Sequence, residues 1–104
     1  DDEPAIAFTN GAVNSKITIT FTEDLNADVD LEKLYAQDLI VKKADGTTLK
    51  AGVDYTTEVN GADLEITVKN VTDLDNFSVQ SKDTISYIQD VEENAAVKFG
   101  RVRN

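Results

Sequence analysis

Ile17-Thr18-Ile19-Thr20-Phe21-Thr22 alternates apolar and polar residues without a break. Side chains of a strand point to opposite faces in turn, so this pattern fits a strand with one buried and one wet face, and it fits no helix. Ile17, Ile19 and Phe21 form the expected core face, and the three threonines face water. Leu64, Ile66 and Val68 alternate in the same way with Glu65, Thr67 and Lys69. Strands of this kind need a second layer over their apolar faces, which points to packed sheets.

The rest of the chain reads as more strands between turns. Ala5–Phe8 is a short first strand before the Asn10-Gly11 turn signal. Asp38–Lys43 is followed by Asp45-Gly46, a hairpin signal, and Thr48–Lys50 can pair back as an edge piece. Asp54–Val59 and Asp63–Lys69 flank Asn60-Gly61, the strongest hairpin signal in the chain. Phe77–Ser81, Ile85–Gln89 and Ala95–Phe99 complete the set. Leu31, Leu34 and Tyr35 recur at helical spacing, so residues 31–36 read as a short helix. Asp30 is placed to cap it, though Lys33 at the third helical position excludes a capping box. The one proline, Pro4, precedes the first strand, where a missing donor costs least. About seven to nine short strands with a single helical candidate predict an all-β, antiparallel Greek-key sandwich.

A chain of 104 residues is near the commonest domain size and can bury roughly two-thirds of its unfolded surface in one core. Residues 1–4 are acidic and linker-like, residues 5–100 form the expected domain, and residues 101–104 read as a linker to a next module. Cysteine and histidine are absent, so thiolate nucleophiles, imidazole bases and their metal sites are excluded. Twenty acids against ten bases leave a net charge of -10. That field repels nucleic acid and anionic membranes, and no apolar run approaches the roughly 20 residues of a membrane span. It attracts cations, and a hard divalent ion such as calcium is the natural small partner for oxygen ligands. Acidity also serves plain solubility.

Three stretches carry a family resemblance. Ile17–Asn26, "ITITFTEDLN", resembles the second strand of the bacterial Ig-like domains of S-layer and other surface proteins. There, an alternating strand ends in phenylalanine and a hydroxyl residue, then two polar residues, leucine, and an acid or amide. Residues 49–68, "LKAGVDYTTEVNGADLEITV", are similar to the central hairpin of that class. "FSVQ" and "DVEENAAVKF" look like its penultimate strand, Asp-containing loop and last strand. Residues 28–37 and 82–88 depart from the pattern. The resemblance implies an Ig-like sandwich from an extracellular bacterial protein of tandem modules, in which calcium often rigidifies modules or lattices.

The chemistry concentrates in one loop. Asp24-x-Asn26-x-Asp28-x-Asp30 has the spacing with which calcium loops begin. It is no EF-hand, because the sixth position is Val29 rather than glycine and the twelfth is Tyr35 rather than glutamate. The spacing alone also fits a solvated turn whose aspartates cap a short helix. In a Greek-key sandwich the loops holding residues 23–30 and 90–94 emerge at one end. Glu23, Asp24, Asp28, Asp30, Asp90, Glu92 and Glu93 then form the candidate calcium set, since crowded carboxylates favour cation uptake. Asp73 and Asp75 are expected at the opposite end in an Asx turn.

No catalytic set is recognisable. There is no Ser-His-Asp or Cys-His arrangement and no glycine-rich phosphate loop, and no tryptophan offers a sugar platform beside a carboxylate pair. The expected role is structural: spacing neighbouring domains of the same chain and meeting neighbouring protomers of a surface lattice. The alternative is an adhesin-like module that binds a protein or a carbohydrate.

Overall fold

The computed structural model describes residues 4–26, 34–92 and 94–103. Among them are seven strands: β1 (Ala5–Thr9), β2 (Ser15–Thr20), β3 (Leu39–Lys42), β4 (Tyr55–Asn60), β5 (Asp63–Val68), β6 (Ser78–Ser81) and β7 (Gly100–Val102). One sheet has the order β1-β2-β5-β4 and the other β3-β6-β7. Every pairing is antiparallel. This is the strand order of the constant-type immunoglobulin sandwich, four strands facing three.

The alternating strands supply the core. Ile17 and Ile19 of β2 and Leu64, Ile66 and Val68 of β5 are fully buried from one sheet, and Val41 and Val79 from the other. Connections add large apolar groups, with Tyr35, Leu74 and Ile88 at 0 % exposure. Tyr55 is buried too, so it is a core side chain rather than a binding platform.

Strand β2 starts at Ser15 and ends at Thr20, two residues earlier at each end than its alternation suggests. Its partner β5 begins at Asp63, opposite Thr20, so beyond Thr20 only the β4–β5 turn is left to bond. Phe21 and Leu25 donate their N–H groups to the carbonyls of Ala62 and Gly61. In that turn Asn60 pairs with Asp63, which leaves Gly61 and Ala62 as the two loop residues. Gly61 takes φ 62 at the first loop position, the residue type that a II′ hairpin turn requires there.

Several sequence readings are corrected. Residues 31–33 of the expected helix lie outside the described residues, and the described helical element is a 3-10 turn at Tyr35–Asp38. Asp38 closes that turn instead of opening β3. Ile85–Gln89 does not form a regular strand, because the N–H groups of Ser86, Tyr87 and Ile88 all go to the Asp38 carboxylate. The last strand is Gly100–Val102 rather than Ala95–Phe99. Ser81 bonds Phe99 through both backbone and hydroxyl, and that clamp sets the register in which residues 100–102 continue along β6. The sandwich thus extends into residues read as linker, and the Arg103 N–H still bonds the Phe77 carbonyl.

Candidate functional site

The register fixes two ends. Ala5, Thr20, Asn60 and Asp63 lie at one end of the first sheet, and Thr9, Ser15, Tyr55 and Val68 at the other. The segment leaving β2 stays at the first end. There Leu25 bridges Asp90, the Asn26 N–H donates to the Gln89 carbonyl at 2.9 Å, and the Val91 N–H to the Asp24 carbonyl at 3.1 Å. Residues 23–26 and 89–92 are therefore side by side, as the Greek-key argument expects. Phe21 supports the junction from below with its ring edge-on to Phe99, centroids 5.8 Å apart.

The buried Tyr35 locks this crossing. Its hydroxyl donates toward the carbonyls of Asn26 and Gln89, one from each segment. Asp38, 2 % exposed, acts one layer deeper. Its Oδ1 accepts from the Ser86 N–H at 3.0 Å, and its Oδ2 from Tyr87 at 2.7 Å and Ile88 at 2.8 Å. The Asp38 backbone carbonyl also accepts from Lys82. One carboxylate thereby shapes the approach to Asp90. The sequence hides this role, since Asp38 reads as the polar first residue of an apolar strand. Its only signal is a charge directly adjoining Leu39-Ile40-Val41.

The carboxylates fall into three groups. Asp28, Asp30 and Glu93 lie outside the described residues. Glu23 and Asp90 lie within hydrogen-bond reach of each other. Asp24 lies beside Gly61, and Glu92 is exposed on the turn that Asp90 organises. Asp90 Oδ1 accepts from the N–H groups of Glu92 and Asn94, each at 2.9 Å, in an Asx turn. Glu23, Asp90, Leu25 and Phe21 also line a small cavity of about 40 Å³ with Ala95, Ala96 and Val97. Among the described residues, no three acidic side chains converge as metal ligands. A calcium ion needs six to eight oxygens, so Glu23 and Asp90 alone do not make a calcium site. At the far end, the Asp75 N–H bonds Asp73 Oδ1 in an Asx turn and the Leu74 N–H bonds Asn10, which keeps these aspartates away from Asp90.

The Glu23–Asp90 pair is electrostatically unequal. The hydrogen bond to Asp90, and then its negative charge, push the Glu23 carboxyl above the ordinary glutamate range. Asp90 is held below the aspartate range, chiefly by the Asn94 backbone N–H. The two have opposite linkage signs. The Glu23 contribution is present at low pH and is lost as pH rises through its raised folded value. The Asp90 contribution is present at neutral pH and is lost as pH falls through its lowered folded value. Glu23 is exposed and Asp90 half-buried at the surface, so both effects are small. Glu23→Gln should therefore melt slightly above the parent chain at pH 7, with the gap closing as the pH approaches the range where Glu23 takes up its proton. A pH series of thermal melts checks this, and a gap that widens toward acid would contradict it.

A second feature lies on the open side of the sandwich between edge strands β1 and β7. Ile6, Phe8, Arg101, Val102 and Arg103 line a groove of about 330 Å³ there. Comparison of the chain with protein-family models, with curated proteins and with solved structures finds no match.

Proposed function

We propose that the chain is a structural spacer module of a bacterial cell-surface protein of the S-layer type, acting outside the cell between neighbouring modules and protomers. The carrying observation is the path of the chain. It enters at Pro4, beside the end that holds Asp24 and Asp90, and leaves at Arg103, beside Asn76 at the other end. The body between measures 36 × 24 × 19 Å. A module crossed from end to end adds length to a tandem array, whereas entry and exit at one end would fold it back. The resemblance of Ile17–Asn26 and residues 49–68 to bacterial Ig-like surface domains supports the same reading.

Calcium belongs to this proposal at the entry end. Glu23 and Asp90 crowd there, and Asp24, Asp28, Asp30, Glu92 and Glu93 are the further carboxylates of the same two loops. A divalent ion would neutralise their repulsion and fix the angle to a preceding module. Binding to the folded form alone would also raise stability by mass action.

Two copies joined in tandem test both parts. Small-angle X-ray scattering should give a maximum dimension approaching twice the 36 Å length of one body. A value near that of two bodies side by side would overturn the spacer reading. Millimolar calcium should raise the melting midpoint relative to chelator. An unchanged midpoint, with no heat on calorimetric titration, would remove calcium and leave the spacer standing.

A further inference from the structure

The chain has two arginines, Arg101 and Arg103, and both face the groove between β7 and β1. Arg101 Nη1 donates to the Ile6 carbonyl at 3.0 Å. Arg103 Nη1 donates to Asn10 Oδ1 at 2.8 Å, with its Nε 3.6 Å from Asp75. The half-buried Phe8 gives this mostly polar groove a small apolar patch.

Strand β7 is a sheet edge, and all three of its residues are exposed. The Phe99 carbonyl accepts from Ser81, and the Arg103 N–H donates to Phe77, so odd-numbered residues turn their backbone groups toward β6. Antiparallel alternation then turns the N–H and C=O groups of Gly100 and Val102 outward. Such an edge is a template for another strand.

We propose that this groove is a strand-addition site for an extended acidic peptide segment of a protein partner. The segment's backbone pairs with Gly100 and Val102, an apolar side chain of it rests against Phe8, and its carboxylates meet the two guanidinium groups. Arginine is the side chain suited to the carboxylate end of this match, because its planar fork donates two parallel hydrogen bonds. Arg101 now donates to a neutral carbonyl on the β1 edge. Swinging onto a carboxylate exchanges that bond for a charge-assisted one, roughly twice as strong. In a chain of net charge -10, a pair of arginines on one exposed edge selects for acid locally, because salt screens charges beyond about 8 Å. The site is independent of the spacer reading, which concerns the ends of the body.

The test is a titration of the ¹⁵N-labelled chain with a synthetic peptide alternating valine and glutamate, and with its glutamine counterpart. Amide shifts should centre on Gly100, Val102, Ile6 and Phe8. The glutamate peptide should bind about ten-fold tighter than the glutamine one at low salt, as one charge-assisted pair implies. Arg101→Lys, which keeps charge and loses the fork, should weaken binding while leaving the melting midpoint close to that of the parent. Equal affinity for both peptides, shifts centred elsewhere, or no shifts at millimolar peptide would overturn the proposal. Shifts of the same amides with chain concentration alone would assign the edge to a second copy and also overturn it.

Discussion

Asp38→Ala should remove a large part of the stability of the fold. The substitution leaves the N–H groups of Ser86, Tyr87 and Ile88 without their acceptor, and the side chain removed is 2 % exposed. Each buried donor stranded in this way costs about 1–3 kcal/mol. The Ile88 donor is buried and the Ser86 and Tyr87 bonds are partly buried, so together they make up a large part of a domain's usual margin of about 5–15 kcal/mol. Asp38→Asn keeps the shape but turns one acceptor oxygen into a donor. Either orientation of the amide faces an N–H with an NH₂, so it should fall between the alanine variant and the parent chain. Urea unfolding followed by circular dichroism measures all three. An Asp38→Ala chain with a parent-like midpoint would show that the segment 85–88 does not depend on this carboxylate.

Tyr35→Ala should cost about 3–5 kcal/mol, the usual loss for a large buried aromatic truncated to alanine. Tyr35→Phe isolates the hydroxyl, which joins the Asn26 and Gln89 carbonyls, and should cost about 1 kcal/mol. Its location matters more than its size. Amides near Asn26 and Gln89 should exchange with solvent faster in Tyr35→Phe, while those of β2 and β5 keep their protection. Uniform loss of protection would instead mean that the hydroxyl supports the whole core.

The strands were legible where one face is buried and the other wet. In β2 and β5 the period of two is unbroken, so the inward faces and the β4–β5 hairpin could be read from residues 17–22 and 60–69. The adjacency of the loops at 23–26 and 89–92 followed from topology, because a Greek key returns them to one end. The segment 82–99 was not legible. Its backbone is bonded by a carboxylate, a serine hydroxyl and an Asx turn, and such side-chain partners leave no periodicity in a sequence. Asp38 and Ser81 therefore passed as ordinary polar residues of strands. The last strand was missed for a related reason. Gly100, Arg101 and Val102 are all exposed, so no apolar alternation marks them, and backbone bonds to β6 with the clamp between Ser81 and Phe99 hold them in register.

The opposite placement of entry and exit also has a mechanical meaning. Tension applied through Pro4 and Arg103 would draw β1 along β2 in one sheet and β7 along β6 in the other. In each sheet the force would run parallel to the strands and across the inter-strand hydrogen bonds, so those bonds would be loaded together rather than opened one after another. Arg101 and Arg103, reaching from β7 to Ile6 and Asn10, would join the two pulled strands directly. A sandwich threaded in this way meets stretching in shear.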